Sequence, residues 1–330
     1  MRKSLKLRMT VVFCAVLLIG PSGLAMAASL TLRLSHPQPE THIYHRAALF
    51  LARELEKNSG GAMKLEVFPN SLLGGERNVL DLIQAGAVDL MATSTPVIGN
   101  YDRLFLMFSL PFLFDDEQHL YRTFEEPEVA GPLAESLVRS KGARPLAYWL
   151  AGPRNFCSVK PVNSLADFKS ARTRCMEDAL ILATYRALGA VPVALPFPDV
   201  FTALETGTVS AAEIPLNTYI HNKFYKIVPN AAHIDVHFTM MLVLVSEKIW
   251  SGLTDEQKEW LKAAAAVSEK YQRGEMEKEI KGLPGQLKAL GVNVTYPDRA
   301  ELRKAVEMVY DNYARENPAA AALAAKIRSW

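Results

Sequence analysis

Hydrophobic and polar positions repeat along the chain with two different periods. Residues 30–35 (LTLRLS) and 64–68 (KLEVF) alternate at every second position, as in a half-buried strand, and a third strand is predicted at 87–93. Apolar residues recur every three to four positions over 43–57 and 76–84, and glycines follow both segments, which is typical of amphipathic helices. This alternation predicts an α/β fold whose sheet is mainly parallel and has helices on both faces.

A second run of the same kind begins near residue 151. Its predicted strands and helices follow one another over residues 154–159, 171–175, 178–188, 191–195, 199–206 and 209–214. The segment 237–246 (HFTMMLVLVS) is apolar throughout, which is typical of a strand buried on both faces. Two such runs predict two α/β lobes of similar size, with a ligand cleft between them that closes by a hinge motion.

The last part of the chain has a mostly helical pattern. Thr254 and Gln257 form a capping box, and a helix is predicted from there to about Leu283, ahead of Pro284. About thirty residues at 1.5 Å each give a rod of about 40 Å, long enough to span both lobes. The alternative is a helix broken at Gly274. A short strand and two helices complete the prediction, at residues 292–296, 299–315 and 319–328.

The first 27 residues differ in pattern from the rest of the chain. Four basic residues precede an apolar run at 11–20 (VVFCAVLLIG), and Ala25-Met26-Ala27 supplies a small-x-small cleavage site. The run is shorter than the roughly 20 residues needed to cross a bilayer. Residues 1–27 are therefore predicted to be a cleaved secretory signal peptide, rather than a membrane anchor.

Removal of this segment changes both the charge and the cysteine content. The formal net charge goes from +2 to −2, because four basic and no acidic residues are lost. A nearly neutral protein gives no electrostatic reason to expect nucleic acid as a partner. Cys157 and Cys175 remain, and in an oxidising compartment they form either one disulfide or two buried thiols.

Catalytic sequence motifs are absent from the mature chain. GxSxG, HExxH, GxGxxG and the Walker A motif do not occur. His36, His42 and His45 are close in sequence, but no cysteine or further ligand lies at a convincing spacing for a metal site. The sequence therefore predicts no catalytic residue, no metal and no cofactor.

Two arginines stand on predicted strands of the second run. Arg154 opens one strand, and Arg174 lies near the end of the next. If these strands are neighbours and both side chains face the cleft, the guanidinium groups form a seat for a small anion, because a planar guanidinium binds a carboxylate through two parallel hydrogen bonds. The alternative is that both arginines are exposed or are paired with Asp and Glu.

Several blocks of sequence, in order along residues 30–313, resemble one known family. They include EVFPNSLLGG (66–75), FSLPFLFDDEQH (108–119), SLADFKSARTRCM (164–176) and ALGAVPVALPFPDVF (187–201). Together they resemble the DctP-type solute-binding proteins of TRAP transporters. The resemblance implies a monomeric periplasmic protein that binds a small organic acid, performs no chemistry on it, and delivers it to the small and large subunits of a membrane permease.

The same resemblance implies a two-lobed periplasmic-binding-protein fold, with hinge strands and a long helix that spans both lobes. One lobe is expected to hold residues 28–151 together with 240–279. The other is expected to hold 152–239 together with 280–330. The helix pattern that begins at Thr254 agrees with this arrangement.

Ligand-binding residues are implied by the family motifs as well. The family's carboxylate-binding arginine lies in a DLKGLKIR-like motif, which reads DFKSARTR here and makes Arg174 the main clamp. Arg154 matches a second arginine that many members have. The other implied contacts are aromatic and polar positions of the cleft wall: Trp149, Phe197, His36, Ser94 and Thr95.

The chain departs from the family pattern next to these residues. A GxxDGQENP-like segment reads GTVSAAEIP, so that Ser210 replaces Asp and Ile214 replaces a polar pocket Asn. An apolar wall at Ile214 offers no hydrogen bond and selects mainly by size. We therefore expect a smaller or more apolar monocarboxylate than a sugar acid. Glu177 is expected either to receive a ligand amine or to pair with Arg172.

Two alternatives to a TRAP binding protein remain open from the sequence. A ligand-binding protein of this fold can serve a sensor or another class of permease. A periplasmic enzyme acting on an organic acid would need a general base near Arg174, for which Glu177 and His36 are the candidates.

Overall fold

The computed structural model describes residues 29–330. The predicted signal peptide at 1–27 lies outside these residues. In the described part of the chain, no helix combines the length and the apolar character needed to cross a membrane.

One mixed sheet of nine strands runs through the described residues. The strands are β1 (Leu30–Ser35), β2 (Met63–Phe68), β3 (Leu90–Ser94), β4 (Ala143–Ser158), β5 (Arg172–Cys175), β6 (Val191–Ala194), β7 (Ala211–Pro215), β8 (Asn230–Ser246) and β9 (Asn293–Thr295). Their order is β2-β1-β3-β8-β4-β7-β5-β6, and β9 also pairs with β8.

The direction of the strands changes at the centre of the sheet. Pairs at both ends are parallel, whereas β3–β8, β8–β4 and β4–β7 are antiparallel. The predicted mainly parallel sheet is therefore correct only for the outer strands. The two central strands run antiparallel because each crosses from one half of the sheet to the other instead of returning through a βαβ unit.

The α-helices of the described residues surround this sheet. They are α1 (Ile43–Asn58), α2 (Glu76–Ala85), α3 (Thr95–Gly99), α4 (Arg103–Leu106), α5 (Glu117–Glu125), α6 (Pro127–Lys141), α7 (Ala179–Ala187), α8 (Val200–Glu205), α9 (Leu216–His221), α10 (Glu247–Gly252), α11 (Asp255–Ala289), α12 (Arg299–Ala305), α13 (Glu307–Glu316) and α14 (Pro318–Arg328). Five of the predicted helices agree within one residue at each end. The helix predicted at 299–315 is divided at Val306, and α3 to α6, α9 and α10 were not predicted.

Strands β4 and β8 join the two lobes. One half of β8 pairs with β3 in the first lobe, and the last five residues of β4 pair with β7 in the second. Between these halves the β4–β8 register shifts near Gly152 and again after Arg154. Gly152 has φ +94°, a conformation that disfavours other residues, and Asn217 Oδ1 would lie 3.4 Å from an added Cβ. We identify this irregular crossing as the hinge.

Helix α11 is longer than predicted. It has 35 residues, which correspond to about 50 Å. It continues through Gly274 and Pro284 to Ala289, so the alternative of a break at Gly274 is wrong. Buried side chains on both sides of Gly274 anchor the helix against the rest of the protein. Met276 is fully buried, and the fully buried Gln272 side chain bonds both the N–H and the C=O of Leu150 at 2.9 Å.

Two apolar cores lie along the sheet. The larger core includes the buried apolar side chains of β1, β3 and α1, whereas the smaller one packs α8, β7 and α9 against the C-terminal part of α11. Cys157 and Cys175 are both buried free thiols, so the alternative of a disulfide is wrong. β7 lies between their strands, and strands two apart are separated by about 9.5 Å, beyond the Cα distance of a disulfide.

Candidate ligand-binding site

A cleft of 610 Å³ opens between the two lobes. Its first-lobe wall is the start of α2 with Val97 and Tyr101, and its second-lobe wall is formed by the ends of β5 and β6 and the segment after β6. A smaller pocket of 40 Å³ lies deeper. Both are lined by Glu76, Arg174, Met176 and Phe197, which places these four side chains at the neck between the outer cleft and the inner pocket.

Arg174 is the cationic group of this neck. Its side chain is 2% exposed, and its Nε donates a hydrogen bond to Leu195 O at 3.0 Å. Nη1 lies 3.9 Å from Glu213 Oε1, and within residues 29–330 neither Nη atom donates a hydrogen bond. Burial lowers the pKa of Arg174, and the charge of Glu213 opposes this effect. The outer edge of the guanidinium therefore remains available to an anion in the cleft.

Arg154 is already engaged by a carboxylate. Its Nε donates to Glu213 Oε2, and its Nη2 donates to Glu213 O at 2.9 Å. Burial lowers the pKa of Arg154, but the charge and the hydrogen bond of Glu213 outweigh burial, so that the pKa is raised. The sequence analysis considered the strands of Arg154 and Arg174 as possible neighbours, but they do not pair with each other. β7 lies between them and presents Glu213 to both.

Glu213 was not among the predicted binding residues. Its side chain is 0% exposed, and its Oε1 accepts a hydrogen bond from Met176 N at 2.9 Å. A carboxylate inside the otherwise apolar strand AAEIP was the available signal, since a buried charge needs a partner. Which partner it has follows only from the strand order.

Glu76 is a second acidic residue that the sequence did not identify. It begins α2, and its Oε1 accepts hydrogen bonds from Thr93 Oγ1, Ser94 N and Ser94 Oγ at 2.9–3.1 Å. Burial raises the pKa of Glu76, and these hydrogen bonds lower it in part. The predicted Ser94 thus lines the inner pocket with its hydroxyl directed to Glu76.

The remaining predicted residues divide into two groups. Phe197 and Ile214 line the inner pocket, and Arg154 does so as well. Trp149, His36 and Thr95 are buried but are not part of the wall of either cavity. Instead of the indole of Trp149, the pocket contains Tyr44, whose ring centroid is 6.2 Å from that of Trp149.

Several unpredicted residues complete the inner pocket. They are supplied by both lobes and by the central strands: Pro37, Gln38, Ala151, Pro215, Thr218, Thr239 and Met241. None belongs to a motif that carries chemistry on its own. Their common position follows from the fold.

Glu177 lies on the wall of the outer cleft, but its ion pair is not the predicted one. Glu177 Oε1 lies 2.8 Å from Arg77 Nη1 of α2. The predicted pair with Arg172 is wrong, because the exposed Arg172 donates its Nε to Thr208 O at 2.8 Å. Arg77 was missed since it is 100 residues distant in sequence.

The three N-terminal histidines do not converge on one point. His36 Nε2 lies 3.1 Å from His45 Nδ1, whereas His42 Nε2 is near Thr218 Oγ1 and Asn217 Nδ2 at 3.3 and 3.4 Å. Among the described residues, no group of three or more His, Cys, Asp or Glu side chains is arranged to hold a metal ion.

A cleft with an arginine at its neck, between two lobes joined by crossing strands, defines the class of two-lobed ligand-binding proteins. The model of the bacterial extracellular solute-binding protein family 7, DctP, matches residues 34–317. The chain belongs to this family, the solute-binding proteins of TRAP transporters.

Individual relatives agree with this assignment over most of their length. The C4-dicarboxylate-binding periplasmic protein DctP of Rhodobacter capsulatus is 30% identical over 302 residues, covering 88% of this chain and 90% of that one. The sugar acid binding protein DctPAm of Advenella mimigardefordensis, solved with galactonate, has a TM-score of 0.88 and 27% identity, covering 91% and 98%. A TRAP solute-binding protein from Bordetella, with density assigned to pantoate, has a TM-score of 0.86 and 29% identity, covering 91% and 99%.

Proposed function

We propose that this protein captures a small organic acid in the cleft between its lobes and holds the acid's carboxylate on Arg174. The observation that carries the proposal is the guanidinium of Arg174, whose Nη atoms donate no hydrogen bond within the described residues and which forms part of the neck between both cavities. Arg154 supports this seat from behind and is secondary, because Glu213 engages its Nε and Nη2.

The acid is a small or partly apolar monocarboxylate in this proposal. Beside Arg174, the inner pocket presents the apolar side chains of Ile214, Met176 and Met241 together with a few hydroxyl groups. Pantoate, assigned in the Bordetella relative, combines a carboxylate and hydroxyl groups with a branched apolar carbon and fits this chemistry. Galactonate, the ligand of the Advenella relative, is the more hydroxylated comparison.

Delivery follows capture. The protein is exported through a signal peptide that is cleaved after residue 27. It acts in the periplasm as a monomer and passes the unchanged acid to the small and large subunits of a TRAP permease. Contacts from both lobes favour closure by their differential affinity for the closed state. Family membership supports the permease as partner.

The lobes of this mechanism consist of residues 28–151 with 240–279, and 152–239 with 280–330. The paths of β4 and β8 support the lobe borders at 151/152 and 239/240. Gly152 of β4 pairs with Thr239 of β8, and the register between the two strands shifts on both sides of Gly152. The course of α11 past residue 279 onto the smaller core supports the third crossing.

The test is identification of the acid. Mature protein purified from a periplasmic extract is examined by native mass spectrometry, and a thermal-shift panel compares pantoate, galactonate, C4-dicarboxylates and amine-bearing acids. Recovery of an unchanged monocarboxylate, with the largest shift for the same acid, supports the proposal. A chemically altered acid would indicate an enzyme, and a dicarboxylate as the only hit would reject the ligand class.

A further inference from the structure

The segment that carries the ligand arginine also carries contacts between the lobes. This segment runs from Arg174, near the end of β5, to the start of α7. Glu177 lies within it, three residues after Arg174. Glu177 Oε1 lies 2.8 Å from Arg77 Nη1, and its backbone oxygen accepts a hydrogen bond from Asn100 Nδ2 at 2.6 Å. Arg77 and Asn100 belong to α2 and to the end of α3, in the first lobe, whereas Glu177 follows β5 in the second.

These contacts are placed at the mouth of the cleft. Arg77 and Glu177 both line the outer cleft and are absent from the wall of the inner pocket. Their side chains are 43% and 24% exposed, so the pair is reached by solvent. An acid on Arg174 lies on the inner side of the pair.

Arg77 also has contacts within its own lobe. Its Nε donates to Tyr101 OH at 3.4 Å, and its guanidinium carbon lies 5.7 Å from the centre of the Tyr101 ring. Asn100 is fixed in the same way, because its Nδ2 also donates to Pro96 O and Val97 O. Less side-chain entropy is therefore lost when Glu177 docks.

We propose that Arg77 and Glu177 form a latch that slows the escape of the bound acid. The inference rests on the proposed function, because it assumes an acid on Arg174 behind the pair. The two residues come from opposite halves of the sheet, so that opening at the hinge separates them. The latch therefore stabilises the closed state only, and its loss speeds dissociation more than it changes association.

The test measures dissociation and association rates by stopped-flow tryptophan fluorescence, with pantoate or galactonate as the probe, whichever binds the wild type. We expect Arg77→Gln and Glu177→Gln each to raise the dissociation rate about two- to five-fold, as for a partly exposed ion pair. The double variant is expected to be no faster than either single variant. The exchange Arg77→Glu with Glu177→Arg is expected to restore part of the loss.

Two comparisons separate the latch from other effects. Arg77→Gln leaves the Glu177 carboxylate uncompensated and is expected to slow association of an anion, whereas Glu177→Gln is not. Arg33→Gln removes a pair of similar exposure within the first lobe, Arg33 Nε with Asp89 Oδ2 at 3.1 Å, and is expected to leave the dissociation rate unchanged.

Additive effects of the two single substitutions, or unchanged dissociation in both, would overturn the latch while the proposed function stands. Failure of every acid of the panel to bind the wild type would reject the proposed function and the latch with it.

Discussion

Arg154 and Glu213 form a buried ion pair across the neighbouring strands β4 and β7, with side chains 7% and 0% exposed. The pair occupies two donors of Arg154, whereas Arg174, on the far side of β7, donates no hydrogen bond from either Nη atom within the described residues. We propose a division of labour between the two arginines. Arg154 holds the Glu213 side chain in place through its hydrogen bonds, and Arg174 receives the ligand.

Removal of the Glu213 charge is expected to destabilise the protein. Glu213→Gln leaves Arg154 buried without its counter-charge, and a broken buried pair costs about 3–5 kcal/mol of unfolding free energy. Urea unfolding measures the loss. The control is Glu247→Gln, because the Arg144–Glu247 pair is partly exposed and is expected to contribute less than about 1 kcal/mol. Equal small losses in the two variants would show that the buried pair is not a structural requirement.

The stability of the protein is expected to fall in acid because of buried neutral histidines. Burial, with a smaller contribution from His45, lowers the pKa of His36 to about 3 from 6.5. Below pH 6.5 the unfolded chain binds a proton that the folded protein cannot take up, so this contribution is complete above pH 6.5 and is lost as the pH falls toward 3.

Unfolding free energies from urea titrations at pH 7.5, 6, 5 and 4 measure this dependence. His36→Gln is expected to have a shallower decline than the wild type over this range. Parallel declines in the two proteins would mean that His36 titrates normally when folded.

Ile214 is expected to control the choice between acids. Its side chain is fully buried against the inner pocket, where many relatives are expected to have Asn. Ile214→Asn is expected to shift the ratio of the Kd values for pantoate and galactonate about tenfold toward galactonate. The ratio is compared, rather than either Kd alone, because a general effect on folding changes both Kd values by the same factor. Ile214→Val keeps the apolar wall and serves as the control, and an unchanged ratio in Ile214→Asn would exclude this wall as a selectivity determinant.

Local sequence signals predicted the helix ends that are determined by neighbouring residues. The capping box at Thr254 and Gln257 marks the start of α11, and helix-ending glycines mark α1 and α2 within one residue. The first half of β4 (ARPLAYWLAG) was missed, because Pro145 and Gly152 are unfavourable in an ordinary central strand; both lie at register irregularities, and Gly152 belongs to the hinge.

The site was predictable only in part, because several of its contacts join residues that are distant in sequence. The family motif identifies Arg174, but the partners of charged residues depend on strand order and on contacts between lobes. Strand alternation alone places side chains on faces and does not say which strand is next. Therefore neither the Glu213 strand between the two arginines nor the Arg77 partner of Glu177 could be deduced.

The most direct test of the account is calorimetric titration of Arg174 variants with the acid that binds the wild type most tightly. Loss of a buried charged partner costs about 2–5 kcal/mol, which corresponds to about 30- to 5,000-fold in Kd. We expect Arg174→Ala to weaken binding on this scale. Arg174→Lys is expected to weaken binding as well, because lysine cannot form two parallel hydrogen bonds.

Arg172→Ala serves as the control. Arg172 lies on the same strand but is exposed, and this variant is expected to bind the acid like the wild type. Near-wild-type affinity in both Arg174 variants would contradict the assignment of Arg174 as the carboxylate clamp.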